Sequence, residues 1–380
     1  METSPAELAA AAGAAVQAAL GPVEVVLGAR LPSSDRAVVV RAVARDREGR
    51  DHPVVLKAPV GSGPGSAREE SALRLLADRQ VSGAVRLLGV SPEPVLLVLA
   101  DLGTGATLAD RLLAEDPVAA EAAVLAWAAR LGGLQAATTG AREEFASRLA
   151  ESSPSGAPAL DTSSEAVAEA SAALARDLPR LGVPVPPAAL EELRGLADAL
   201  DVGTPGSPGG LVPGDTCPSN AVESAEGLVL LDFEGAEYRH LAWEAAYLTV
   251  PWPSCWCSWR LPEPLVARAL AVWQQAVAPV VPVVTSPAFR DDLVQATLGW
   301  VFISTGWMLG AALDGDPPPA DPARRQVVPR RRALLQHRLG QVARQDSSVL
   351  PALRELAART HAATLREWGP RPLPLAPAFR

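Results

Sequence analysis

Three side chains in the second half of the sequence have the types and spacing to hold a divalent cation. Asp215 and Asn220 stand in "GDTCPSN", and Asp232 stands in "LLDFEG". The order is Asp–x4–Asn, then an Asp at the end of an apolar run. Read as a hairpin, the two stretches bring two carboxylates and an amide to one end of a cleft. Such oxygen ligands suit Mg2+, which keeps several waters for a phosphate to replace. One carboxylate can instead orient or deprotonate an attacking hydroxyl. Alone, Asp–x4–Asn is a pattern that any turn produces. The apolar-Asp-Phe stretch that follows gives it weight.

A fourth residue belongs to the same chemistry. Lys57, in "DHPVVLKAPV", is the only lysine among 34 basic residues. The composition has been driven toward arginine, and a solvated surface charge would have followed it. A compact ammonium acting on phosphate or carboxylate is not replaced by a planar guanidinium. An ammonium inside an apolar strand is also costly without a partner. Glu69 and Glu70, on the segment "AREESALRLLADRQ", are the candidate partners. A strand lysine paired with a helix glutamate is one way to hold the α- and β-phosphates of a nucleotide.

These residues need a scaffold. Val-rich runs between residues 23 and 60 read as strands, with "EGRDH" as a turn. "AREESALRLLADRQ" reads as an amphipathic helix, and "VRLLGV" and "PVLLVLADLG" as further strands. From "TGATLADRLL" onward the pattern is helical, with "EAAVLAWAARLGGLQAATTG" a buried helix and more helices at 164–179 and 187–200. Two short strands, "LVPGD" and "GLVLLDF", interrupt it, and helices follow to the end. The expectation is an α+β, bilobal chain. Residues 1–100 form a β-rich N-lobe, and residues 101–380 form a helical C-lobe with a short catalytic hairpin. "GSGPGS", residues 151–163 and "DGDPPPADPARRQVVPRRR" read as loops. No internal repeat is visible.

Composition removes several classes. The chain has 380 residues, 48% hydrophobic and 20% charged, with net charge −9, which suits a two-lobed globular core. Nucleic-acid binding would need a basic surface. A negative surface is compatible with a cationic substrate, and equally with ordinary solubility. Cys217, Cys255 and Cys257 are too few and odd in number for a disulfide framework, so reduced thiols in a cytoplasmic protein are expected. "CWC" lacks the partners of a zinc site. Cys217 has no adjacent base that would make it a nucleophile. "PWPSCWCSW" reads as a packed loop, with a substrate-pocket wall as its alternative. The N-terminal stretch reads as an Ala-rich helix without the basic start of a signal peptide. Residues 293–313 are long enough to span a bilayer, and Gly306 and Gly310 have GxxxG spacing. Acidic flanks and internal polar residues favour a buried helix with no membrane.

In motif order, residues 20–310 resemble the phosphotransferase family typified by aminoglycoside phosphotransferases. This is a protein-kinase-like fold that also includes choline and fructosamine kinases. "VVLKAP" with "REESALRLLA" resembles the lysine strand and glutamate helix, and "LLVLADLGTGATLADRLL" the hinge. "LVPGDTCPSNAV" resembles the His-Gly-Asp-x4-Asn loop, and "LVLLDFEGAEYRHLAWEAAYL" the metal-binding segment. The resemblance implies ATP and Mg2+ as cofactors and a small-molecule hydroxyl as acceptor. It implies that Lys57 contacts ATP phosphates and that Glu69 pairs with it, with Glu70 the fallback. Asp215 would be the base, Asn220 and Asp232 would hold Mg2+, and backbone near Ala100 and Leu102 would meet adenine. Two positions depart from the pattern: Pro213 and Gln135 stand where the family carries histidines. Pro213 and a phosphate loop with one glycine ("GARLPSSDR") favour an alternative, a catalytically impaired relative that binds a nucleotide or a partner.

Overall fold

The computed structural model describes residues 4–32, 36–61, 63–153, 156–204, 206–319, 325 and 327–380. Parts of four expected loops lie outside the described residues: 33–35, 62, 154–155, and 320–324 with 326.

Five strands form one antiparallel sheet: β1 (Val23–Leu31), β2 (Ala37–Asp46), β3 (Asp51–Pro59), β4 (Leu87–Pro92) and β5 (Val95–Ala100), in the order β1-β2-β3-β5-β4. The β2–β3 turn is closed by Asp46, whose Oδ1 accepts from the N–H groups of Glu48 and Arg50 at 2.9 Å each. Gly49 supplies the positive φ there, 80°. Period-two alternation gives the sheet two working faces. Val54, Leu56, Leu96 and Val98 pack under the helix Pro5–Ala15, around Ala12 and Val16. Leu97 and Leu99 point the other way, into the main core. Strand β5 is covered on both sides, which is why its sequence is unbroken apolar. Lys57 shares the second face, one residue out of phase with Leu56.

The helix Gly65–Asp78 crosses that second face and buries Leu73, Leu75 and Leu76. The rest of the chain is mainly helical around one large core, with Pro117–Thr138 and Pro287–Leu313 at its centre. Asp116 and Ser286 cap these two helices, each accepting a backbone N–H from the first turn. Pro287–Leu313 is long and apolar enough to cross a membrane, but 67% of its apolar window is buried in the protein. Its glycines admit neighbours. A Cβ on Gly306 would stand 3.0 Å from Ala170 Cα, and one on Gly299 would stand 2.6 Å from the Trp243 ring. The small-residue spacing thus serves packing against the helix Ser163–Asp177.

One titratable group on this scaffold sets a pH limit. His337 lies on the helix Arg331–Arg344. Burial, with Arg260, Arg338 and Arg344 nearby, pushes its pKa down to about 4. The unfolded chain, with its pKa of about 6.5, binds the proton first. Stability is therefore complete above pH 6.5 and is lost as the pH falls toward 4. Denaturant melts should show roughly 2 kcal/mol less stability at pH 5 than at pH 7.5 from this residue. His337→Gln should remove that share, while buried His240, also pushed down to about 4, keeps its own.

Candidate active site

Lys57 sits between Val39 of β2 and Leu97 of β5 in the ladder. Its Nζ lies 2.6 Å from Glu69 Oε2, 2.6 Å from Asp232 Oδ1 and 3.4 Å from Glu234 Oε2. Glu69 is buried and faces the strand, whereas Glu70 turns away to Arg74 at 2.9 Å. Burial by itself disfavours the ammonium, but the carboxylates of Glu69 and Asp232 more than reverse this and raise the Lys57 pKa. Burial pushes the Glu69 carboxyl up to about 7 despite Lys57. Glu69 bears the full desolvation cost, while the lysine's charge is divided among three carboxylates.

Across the cleft, Asp215 and Asn220 lie on one loop. Gly214 has φ 84°, and a Cβ there would fall 1.8 Å from the Gly235 carbonyl oxygen. Only glycine lets the two backbones approach this closely. Pro213, buried, offers no side-chain anchor, and other groups hold the loop. Asn220 Nδ2 donates to the Asp215 carbonyl at 3.0 Å, and the Asn220 N–H donates to the Cys217 carbonyl at 2.8 Å. Thr216 Oγ1 donates to Glu244 Oε2 at 3.2 Å, and Glu244 is itself held by the buried Arg239. Asp232 adopts φ 64°, a left-handed conformation that Asp tolerates better than most residues. Burial and the Asp232 carboxylate push the Asp215 carboxyl up to about 6.

The expected single hairpin is two separate ladders. Strand β6 (Gly209–Val212) pairs with β9 (Glu237–His240), while β7 (Ala221–Ser224) pairs with β8 (Gly227–Leu230). The sequences "AVES" and "EYRH" are too short and polar to show a strand pattern. The result is still one end for all three groups, because the Leu231 N–H donates to the Asn220 carbonyl at 2.9 Å. The expectation of reduced thiols is also corrected: Cys217 and Cys255 are joined as a disulfide, with Cys257 outside that bond and buried. The pairing crosses 38 residues, so sequence spacing gave no sign of it.

Lys57, Glu69, Asp215 and Glu234 line one cavity of about 530 Å³. Ala100 ends β5, its N–H donates to the Arg86 carbonyl at 2.9 Å, and neither it nor Leu102 lines that cavity. Gly214, Gly235 and Ser254 form a wall shared with a second cavity of about 210 Å³. The second cavity is walled by Trp243, Tyr247, Trp300 and Trp307, with Glu237 and Arg239 at its polar side. In the "PWPSCWCSW" stretch, Trp252 and Trp259 are buried packing residues, and Ser254 alone reaches both cavities.

Sequence reasoning missed several of these residues. Glu234, within the "DFE" triplet, is a third carboxylate on Lys57 and also binds Arg36 at 2.8 Å. Arg68, one residue before Glu69, is buried and donates to the carbonyls of Ala236 at 2.7 Å and Ala159 at 2.6 Å. Its signal was a charge on the apolar face of an amphipathic helix. Trp300 and Trp307 lay inside a segment read for its length, flanks and glycine spacing.

The donor set fits a divalent cation. Asp215, Asp232, Glu234 and Glu69 outnumber the cations Lys57 and Arg36 around the cleft, and Asp232 raises the Asp215 pKa. The Asn220 amide nitrogen is engaged within its own loop, which leaves its oxygen as the outward ligand. Hard oxygen donors of this kind match Mg2+.

No family model matches the chain, and no curated protein matches its sequence. Among solved structures, it is similar to a choline kinase from Cryptosporidium parvum Iowa II, at 11% identity over 90% of this chain and 93% of that one, with a TM-score of 0.50. A choline/ethanolamine kinase family protein from Mesorhizobium loti matches at 18% identity over 89% and 92% of the two chains, with a TM-score of 0.48. A macrolide 2'-phosphotransferase from Brachybacterium faecium matches at 17% identity over 78% and 89%, with a TM-score of 0.41. The likeness to the choline kinase establishes the fold: the chain has the α+β, protein-kinase-like fold seen in small-molecule phosphotransferases.

Proposed function

We propose that this chain is a small-molecule kinase that transfers the γ-phosphoryl group of ATP, bound with Mg2+, to a hydroxyl. The observation that carries this reading is the convergence of Lys57, Glu69 and Asp215 on one cavity, with Asp232 paired to Lys57 and an aromatic cavity sharing the Gly214–Ser254 wall. Lys57 holds the α- and β-phosphates, and Glu69 fixes the position of its ammonium. Backbone near Ala100 and Leu102 meets adenine. Asn220 and Asp232 hold Mg2+, which supplies neutralisation of phosphate charge. Asp215 accepts a hydrogen bond from the acceptor hydroxyl and takes its proton as the oxygen bonds to the γ-phosphorus and ADP leaves. Positioning and charge neutralisation account for most of such catalysis. An ATP donor is consistent with a cytoplasmic enzyme.

The aromatic cavity is proposed as the acceptor site. Tyr247 and Trp300 meet edge to face at 5.0 Å, and Trp307, 47% exposed, stands at its mouth. These walls suit an acceptor with an apolar or ring-shaped body, and the acidic chain is compatible with a cationic one. Trp307→Ala should raise the acceptor KM about tenfold, the equivalent of ~1.4 kcal/mol, and leave the ATP KM unchanged. Steady-state kinetics with each substrate varied in turn checks this.

The decisive experiment is a Mg-ATP phosphorylation screen over amino sugars, sugars, choline-like alcohols and nucleosides. ADP formation that depends on one acceptor class supports the reading. Calorimetry that finds no Mg-ATP binding overturns it. Pro213 favours a second reading, nucleotide binding without transfer. Tight Mg-ATP binding with no turnover on any acceptor would select it.

A further inference from the structure

We propose that Cys217 and Cys255 form a reversible thiol–disulfide site that fastens the catalytic loop to the acceptor side of the cleft. The regulatory part of this rests on the kinase reading above. All three cysteines of the chain converge, with their sulfurs within 4.8 Å of one another. Cys217 lies two residues after Asp215. Cys255 follows Ser254, whose Oγ is 3.5 Å from Asp215 Oδ1 and 3.0 Å from Tyr247 Oη. The bond therefore ties together the proposed base and a wall of both cavities.

The Cys255 side is anchored by side-chain hydrogen bonds. Ser258 Oγ donates to the carbonyls of Trp252 and Cys255 at 2.6 Å each, and Trp259 Nε1 donates to the Val327 carbonyl at 2.7 Å. The Cys217 side is a loop that lacks a side-chain anchor at Pro213. Two thiols cannot stand at covalent distance, so reduction separates the segments, and the displacement falls on the Asp215–Ser254 contact. Cys255 is half-buried, so a reductant can reach it, whereas Cys217 and Cys257 are buried. In a reducing compartment such a bond is transient and responsive, not a permanent staple.

The chemistry balances with a dithiol reductant. One of its thiolates attacks Cys255 Sγ, a mixed disulfide forms, and Cys217 Sγ leaves as a thiolate that takes up a proton. The second thiol of the reductant then displaces Cys255 as a thiolate, which is protonated in turn. The protein disulfide gains two electrons, and the reductant ends as a disulfide. Glutathione disulfide runs the exchange in reverse.

The test equilibrates the full chain in glutathione buffers of graded potential, alkylates it and maps its peptides by mass spectrometry. A Cys217–Cys255 peptide that appears and disappears reversibly is expected. Three alkylated cysteines under oxidising conditions, a Cys255–Cys257 pair, or a stoichiometric metal held by all three sulfurs would overturn the proposal. Hydrogen exchange of residues 214–220 should be at least tenfold faster in the reduced form, and equal exchange overturns the locking role. Neither readout needs enzymatic activity, so a failure of the kinase reading stays distinguishable from a failure of this one. With an acceptor from the screen, kcat should fall at least fivefold on reduction and recover on reoxidation. Cys255→Ser, or Cys255→Ala if the serine variant misfolds, should make kcat insensitive to redox potential. Cys257→Ser should keep the response, and its loss in that variant counts against the assigned pair.

Discussion

Lys57→Arg is expected to lower phosphotransfer from Mg-ATP by roughly a hundredfold or more, the scale seen when one preorganised charge contact is removed. The formal charge is unchanged, so the loss is geometric. The ammonium sits 2.6 Å from both Glu69 Oε2 and Asp232 Oδ1, on a strand pinned between β2 and β5. A guanidinium is larger, planar and stiffly forked, and it cannot occupy that point without displacing a buried carboxylate. Lys57→Met separates charge from shape. It strands Glu69, 1% exposed, and breaking a buried pair typically costs about 3–5 kcal/mol. The measured loss should fall toward the lower end, because a carboxyl already pushed up to about 7 can take a proton. Kinetics, Mg-ATP calorimetry and denaturant melts on the two variants measure these effects. Full turnover in Lys57→Arg would remove the central support for the proposed function.

Asp215→Asn should reduce kcat by about 10²–10⁴, the usual contribution of a positioned general base. Mg-ATP affinity should stay within a few-fold, because the amide keeps the shape of the side chain and Asp232 is untouched. The pH profile gives a second check. With its pKa pushed up to about 6, Asp215 of the free protein is ionised at neutral pH and gains a proton as the pH falls through 6. The wild-type rate should therefore decline on the acid side with unit slope, and the residual rate of the variant should not. Asp232→Asn should behave oppositely, weakening Mg-nucleotide binding first. An Asp215→Asn protein with near-normal kcat would show that another group carries the proton.

Much of the scaffold was legible in the sequence, because its signals are periodic. The alternation in β2 and β3, the amphipathic helix after Lys57 and the long buried helices all follow from burial on one face or two. The α+β expectation agrees with the structure for that reason. The short ladders were harder. Strands β7 and β9 have four residues each, and tertiary pairing decides them, not local pattern. For the candidate site, chemical type and order singled out Lys57, Glu69, Asp215, Asn220 and Asp232, of which Lys57, Glu69 and Asp232 meet directly. Contacts made across the fold left no local trace. The Cys217–Cys255 bond, the Glu234 carboxylate on Lys57 and the Trp300–Trp307 wall each join segments that are distant in sequence or were read for another property.

Arg68 changes how the two halves of the molecule divide. Through the carbonyls of Ala236 and Ala159, it fastens the helix Gly65–Asp78 to segments beyond the sheet. The far end of that helix is held likewise, by Asp78 on Arg148 at 2.6 Å and by Arg79 on Glu144 at 2.8 Å. By chain order the helix belongs with the strands, and its two ends are also fastened to segments beyond the sheet. The Lys57–Glu69 bond joins sheet to helix, so a displacement of the sheet alone would lengthen it.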